Sequence, residues 1–128
     1  MLDEKLTFRA IGWVENAIDQ RTPTDEIQAV ESRLVIDPAL VLGLSGLEVG
    51  QQIMVLFYFD RSQGYELMQY PRGDRSRPMR GVFALRSPNR PNKIGVTVVE
   101  LIAIQDNILH VRGLDALNGT PILDIKPA

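Results

Sequence analysis

The sequence predicts a mainly-β fold, a barrel or sandwich of short strands with one short helix. Three observations carry this. Segments rich in Val, Ile, Phe and Tyr recur roughly every dozen residues, separated by Gly, Pro, Asn and Asp. The helix–strand alternation of a doubly wound sheet is missing. No G-x-G-x-x-G and no P-loop lies between a strand and a helix, so the usual Rossmann signals are absent.

Taken in order, Phe8–Val14 reads as a first strand and the polar Asn16–Glu26 stretch, with Pro23, as a loop. Ile27–Ile36 reads as a second strand. Asp37-Pro38 then resembles a helix start, with Asp as cap and Pro in the first turn. A short helix over Ala39–Leu44 follows, ending near Gly43 and Gly46. Gln52–Phe59 is a continuous β-branched and aromatic run, as expected of a central strand. Tyr65–Tyr70 is a shorter strand candidate. Arg72–Arg80 carries too much charge, Pro and Gly for a buried element and reads as a long exposed loop, the kind that often holds function. Gly81–Leu85 reads as another strand. Val96–Ile104, the turn Gln105-Asp106-Asn107 and Ile108–Arg112 form a hairpin. Ile122–Ile125 closes the series.

The 128 residues suffice for one domain around one core, and 45% hydrophobic with 23% charged is an ordinary globular balance. The longest apolar run, Ile53–Phe59, is far short of the ~18 residues that would span a membrane. The opening MLDEKLTF has no apolar stretch suited to a signal peptide, so a cytoplasmic protein without a membrane partner is expected. There is no cysteine, which removes disulfides and thiolate metal sites.

The net charge of −2 conceals a strong asymmetry. Arg72, Arg75, Arg77, Arg80, Arg86, Arg90 and Lys93 fall in one stretch of the chain, opposed there only by Asp74. Residues 72–93 therefore carry +6 and the remainder −8. Such a segment suits an anionic ligand or a phosphate backbone. The alternative is a solvated arginine-rich loop paired with acidic neighbours. Within it, Pro88 and Pro91 fix φ near −65° and restrict the residues before them. Arg86, Ser87, Asn89, Arg90 and Asn92 thus stand on a stiff backbone, a frame for an anionic or adenine-containing ligand or, equally, a structural turn.

The single histidine, His110, alternates with Leu109 and Val111 and is placed on the outer face of a strand. With one histidine and no cysteine, a metal site lacks its usual ligands, and no nucleophile elbow accompanies a Ser-His-Asp arrangement. In the last segment Asn118-Gly119 is a turn signal flanked by Asp115 and Asp124. These carboxylates suit a ribose or an ammonium group, and also backbone caps or arginine partners.

Two long segments resemble one known family. RGVFALRSPNRPNKIGVTVVEL, residues 80–101, is similar to the signature of the TsaA-like, TrmO-type tRNA methyltransferases, and GLDALNGTPILDIKP, residues 113–127, resembles that family's LDxxDGTPxxDIKP segment. Ile11–Val14 and Val55–Arg61 match more weakly, in the same order along the chain. The resemblance implies a small β-barrel with one or two short helices, in a single domain over residues 1–128. It implies an S-adenosyl-L-methionine-dependent methyltransferase, acting on N6 of N6-threonylcarbamoyladenosine beside the tRNA anticodon. A homodimer with the cofactor near the subunit interface is also implied.

Carried over where motifs match, the cofactor contacts implied are Arg86, Val96, Asp115, Ala116, Leu117 and Asn118, with Asp60 and Arg61 after the central strand. A further contact region lies near Thr24–Glu26. Arg72, Arg75, Arg77, Arg90 and Asn92 are the candidate substrate contacts, facing tRNA phosphates or the threonyl carboxylate. Asn118 stands where the family usually has aspartate, Lys93 for proline, Leu85 for threonine, and Asp60 where several members have histidine. No catalytic base is assigned. Methyl transfer from a sulfonium chiefly needs alignment and exclusion of water, since the proton can leave late. Two other readings use the same residues: methylation of a small molecule, and a non-catalytic module that binds S-adenosylmethionine or RNA.

Overall fold

The computed structural model describes residues 3–128. Eight strands are present among the described residues: β1 Gly12–Glu15, β2 Glu31–Ile36, β3 Gln52–Tyr58, β4 Met68–Gln69, β5 Arg80–Gly81, β6 Ile94–Gln105, β7 Ile108–Arg112 and β8 Pro121–Pro127. Six of them close a barrel in the order β1-β2-β7-β6-β3-β8, and β8 returns to pair with β1. Every neighbouring pair is antiparallel. Of the two architectures that the strand pattern allows, the chain adopts the barrel. β4 and β5 form a separate two-stranded ribbon that belongs to an arm outside it.

Alternation explains which side chains fill the barrel. On β3, Ile53, Val55 and Phe57 point inward and are at most 2% exposed. Facing them on β6 are Val99, Thr97 and Gly95. Leu34, Leu101, Leu109, Val111, Leu114 and Ile122 complete the core. Burial of each such aliphatic side chain stabilises the fold by about 1.5–3 kcal/mol. Gly12 and Gly95 are required by close approach: a Cβ would lie 2.2 Å from the Val35 carbonyl oxygen at Gly12, and 2.5 Å from the Phe57 ring at Gly95. Register shifts leave Leu123 of β8 unpaired opposite Leu56 and Phe57, and Ile102 of β6 unpaired between Leu101 and Ala103, bulges of the kind found in small barrels.

Several elements depart from the sequence expectations. The first strand begins at Gly12 rather than Phe8, which is 70% exposed and so has little burial to hold it in a strand. The second begins at Glu31, because Thr24–Ala29 winds into a 3₁₀ helix that buries only Ile27. Pro38–Leu44 is also 3₁₀, capped by the Asp37 side chain, which accepts from the Ala39 N–H at 3.0 Å. Seven residues burying no side chain fully offer too little apolar stripe for a regular α-helix. Tyr65–Tyr70 contributes only β4. Gly81–Leu85 is mostly a 3₁₀ turn over Val82–Ala84, with Val82 buried and Phe83 80% exposed. The hairpin turns at Asp106, which adopts φ +55°, and Asn107. His110 lies half-buried on the outer face of β7, between the buried Leu109 and Val111.

Candidate cofactor and nucleic-acid site

One end of the barrel is formed by the last residues of β3, the first of β6 and the segment after β7. The arm between β3 and β6 folds over this end and leaves a cleft of about 1600 Å³. Its barrel wall carries Phe57, Phe59, Gly95, Val96, Thr97 and Asp115. Phe57 and Phe59 meet edge to face, centroids 5.2 Å apart at 78°, and fill the space that Gly95 leaves. The opposing wall is the arm, with Arg72, Arg75, Arg77, Arg80, Arg86 and Arg90 all lining the cleft.

The arm is stiffened by hydrogen bonds along its own chain. The Arg90 Nη1 donates to the carbonyls of Leu85 at 2.9 Å and Ser87 at 3.0 Å. Lys93 Nζ donates to the Arg90 carbonyl at 2.9 Å and to that of Gly64. Ser62 Oγ lies 3.0 Å from the Pro88 carbonyl and 3.1 Å from Asn89 Oδ1. These contacts turn a loop that the two prolines only restrict into a fixed wall. Arg90 is thus half-buried with one guanidinium nitrogen engaged, while Arg86 is exposed and makes no hydrogen bond or ion pair among the described residues.

Charge in the cleft is largely uncompensated. The ion pairs among the described residues involve Arg33, Arg112 and Lys126, and none of the arm's arginines. Asp74, the arm's acid in this stretch, is occupied instead by Ser76, whose hydroxyl and N–H donate to its carboxylate at 2.6 and 2.9 Å. Those two bonds, the hydroxyl's first, hold the Asp74 carboxyl below the ordinary aspartate range. Arg72 adopts φ +52°, and the Arg75 guanidinium lies over the Tyr70 ring at 5.6 Å. Such an array of cations beside an aromatic wall can bind phosphate or carboxylate oxygens and stack a flat base.

The 115–118 segment is fixed from behind. The Ala116 carbonyl accepts from Asn16 Nδ2 at 2.9 Å, the Leu117 carbonyl from the Thr120 hydroxyl at 2.7 Å, and the Asn118 carbonyl from Arg61. The N–H groups of Asp115, Ala116 and Leu117 find no acceptor among the described residues. Asp115 itself is exposed and unpaired there.

The structure therefore groups Arg86, Val96, Asp115, Arg72, Arg75, Arg77 and Arg90 around one cleft. Arg61 joins Asn118 behind that group, with Ala116 buried and Leu117 half-buried between. Asp60 and Asn92 are exposed outside the cleft lining, and Thr24 lies on its rim. Sequence reasoning missed Phe57, Phe59 and Gly95 as cleft residues and Asn16 as a support. The aromatic run after Gln52 carried a hint of the first two, while Asn16 sits in a stretch read only as polar loop.

No group of three or more His, Asp or Glu among the described residues is arranged to hold a metal, and no helix there is long and apolar enough to cross a membrane. The donor set does fit S-adenosylmethionine. An unpaired guanidinium suits its carboxylate, an unpaired carboxylate its ribose hydroxyls or ammonium, and Val96 its apolar faces.

Comparison with known proteins gives the same direction. The family model described as the tRNA-methyltransferase O N-terminal domain matches residues 18–128. A protein of Methanothermobacter thermautotrophicus, named a probable S-adenosyl-L-methionine-binding protein, is 38% identical over 99% of this chain and 93% of its own. The human tRNA (adenine(37)-N6)-methyltransferase is 38% identical over 66% of this chain and 19% of its own. A crystal structure of TrmO superposes with a TM-score of 0.76 at 32% identity, covering 98% of this chain and 58% of that one. TrmO of Pseudomonas aeruginosa gives 0.75 at 29% identity, and this chain spans 55% of it. The family model covers most of the chain and the barrel superposes on solved members, and the chain belongs to the tRNA-methyltransferase O family.

Proposed function

We propose that this protein is an S-adenosylmethionine-dependent methyltransferase that modifies adenosine in tRNA. The observation that carries the reading is the convergence of Arg86 and Asp115, 29 positions apart in sequence, on one cleft inside the segment that matches the family model. Arg86 holds the cofactor's carboxylate. Asp115 would accept from its ribose, and the backbone of 115–118 beside it would border its adenine. When bound, the cofactor supplies an electrophilic methyl group on sulfur. The chain's own task is to orient the incoming amine, exclude water with Phe57, Phe59 and Val96, and neutralise the approaching RNA with Arg72, Arg75 and Arg77.

Within that reading, the substrate is N6-threonylcarbamoyladenosine beside the anticodon, in the cytoplasm. Its free carboxylate is an anion that an arginine-lined cleft would favour over unmodified adenosine. A homodimer is part of the proposal. On the outer face of β3 and β6 the rungs Tyr58–Ile94, Leu56–Val96 and Met54–Val98 are apolar, and Tyr58, Ile94 and Val98 remain 42–45% exposed. A second copy would cover that face and bring its own surface to the edge of the cleft at Val96.

The experiment is methyl transfer from labelled S-adenosylmethionine into tRNA with and without the threonylcarbamoyl group, next to calorimetry with the cofactor alone. Transfer confined to modified tRNA is expected. Cofactor binding with no transfer to any tRNA would reduce the protein to a binding module. No heat with the cofactor would remove the reading altogether.

A further inference from the structure

We propose that Asn16 is the positioning residue that sets the 115–118 segment for the cofactor; the inference rests on the reading above that this segment holds S-adenosylmethionine. Asn16 is the residue after β1, and Asn118 follows it by 102 positions. Its side chain uses both ends of its amide. Nδ2 donates to the Ala116 carbonyl and to the Ser32 hydroxyl, each at 2.9 Å, and Oδ1 accepts from the Ile18 N–H at 2.9 Å. Its own N–H donates to Asn118 Oδ1 at 3.0 Å, and the Ile18 carbonyl accepts from the Asn118 N–H at 3.0 Å.

Ser32 is the anchor. It lies on β2, 1% exposed, so the Asn16 rotamer is tied to the barrel wall rather than to a mobile loop. Through Asn16 the wall then fixes the Ala116 carbonyl. A peptide plane fixed at its carbonyl also fixes the N–H on its other side, that of Leu117. Thr120 and Arg61 hold the next two carbonyls, whose peptide planes carry the Asn118 and Gly119 N–H groups that donate to the Ile18 and Val14 carbonyls. The outcome is a short stretch clamped at the carbonyls of Ala116, Leu117 and Asn118, while its N–H groups at 115–117 have no acceptor among the described residues. Preorganised donors of this kind bind without reorganising, and a displacement of about 1 Å costs on the order of 100-fold.

Asparagine alone meets these demands at this length. Aspartate is isosteric but presents two acceptors, so at neutral pH it faces the Ala116 carbonyl with like polarity and loses both Nδ2 donations. Glutamine adds a methylene between β1 and Ala116.

The test compares the native chain with Asn16→Asp and with Asn16→Ala, which introduces no charge and serves where the aspartate variant does not fold. Calorimetry with S-adenosylmethionine and with S-adenosylhomocysteine reads the site without turnover. Both variants are expected to bind each compound about tenfold or more weakly. In methyl transfer, KM for the cofactor rises by a similar factor, while kcat at saturating cofactor and KM for tRNA stay within about twofold of native. A purely structural role would lower the melting temperature without that split. Folded variants that bind within about twofold of the native chain overturn the inference alone. A native chain that binds neither compound overturns the reading on which it rests.

Discussion

Gly95 on β6 lies opposite Phe57 on β3, and a Cβ on Gly95 would come within 2.5 Å of the Phe57 ring and 2.7 Å of the Phe59 ring. Neither ring can retreat freely, since Phe57 is 2% exposed and the two pack edge to face. Gly95→Ala is therefore expected to lower the unfolding free energy by about 1–3 kcal/mol, the usual cost of overpacking. Denaturant melts measure it. A shift below about 0.5 kcal/mol would mean that the rings move aside cheaply. Phe57→Leu in the same chain should recover part of the loss, because the two residues share the contact.

Arg86 and Arg90 stand four positions apart in the same loop but differ in what they touch. Arg86 has no protein partner among the described residues, so Arg86→Ala should leave the melting temperature within about 2 °C of native. Its effect should appear in cofactor affinity, about 10- to 100-fold weaker, as for loss of one hydrogen-bonded charge. Titration calorimetry decides; unchanged affinity would place the cofactor's carboxylate elsewhere.

Arg90→Ala acts on the arm instead. It frees the Leu85 and Ser87 carbonyls that the guanidinium holds at 2.9 and 3.0 Å. Amide exchange across residues 85–90 should quicken, and tRNA affinity should fall as the wall loosens. Exchange unchanged from native would show that the two prolines suffice to hold the loop.

Arg72, Arg75 and Arg77 are exposed and outside the ion pairs of the described residues. If each meets one phosphate, every Arg→Ala change should reduce the slope of log K for tRNA against log salt by about 0.7–0.9. Filter binding at three salt concentrations supplies the slope. A slope that stays constant in the triple variant would direct the search for the RNA-binding face away from the arm.

Glu15 on β1 accepts hydrogen bonds from Arg33 on β2 and, at 3.4 Å, from the Trp13 indole N–H. The Arg33 bond, followed by that of Trp13, holds the Glu15 carboxyl below the ordinary glutamate range. A depressed carboxyl stabilises the fold above its unfolded-state value, and that contribution disappears as pH falls through the folded value. Both groups are exposed, so solvent screening keeps the effect small. Carboxyl-detected NMR titration should find Glu15 shifted down in the native chain and returned upward in Arg33→Ala.

Much of the fold was legible because continuous β-branched and aromatic runs mark the strands whose two neighbours both lie in the barrel. β3, β6 and β7 emerge from their apolar runs within a few residues of their bounds. Gly81–Leu85 misled because Val-Phe-Ala-Leu is as apolar as a strand, yet the ladder with β4 holds only Arg80 and Gly81 and ends with the Val82 N–H on the Leu67 carbonyl. The charge of the arm was visible in composition, and the family signature located Arg86 and 115–118. The clamp of Asn16 on Ala116 and Asn118, and that of Arg61 on Asn118, span 100, 102 and 57 positions and carry no local pattern.

The amino-acid order alone settled that the chain is mainly β, where its long central strands lie, and that one stretch is stiff and cationic. These are local properties, written in alternation, prolines and side-chain charge. Closure was another matter. Alternation says that a strand has an inner face but not which strand lies beside it, and a barrel differs from a sandwich chiefly in the pairing of β8 with β1. That pairing, the packing of two phenylalanines against Gly95 and the clamping of the Ala116 and Asn118 carbonyls depend on contacts between distant segments. They exist only once the core has collapsed and the backbone polar groups have found their partners.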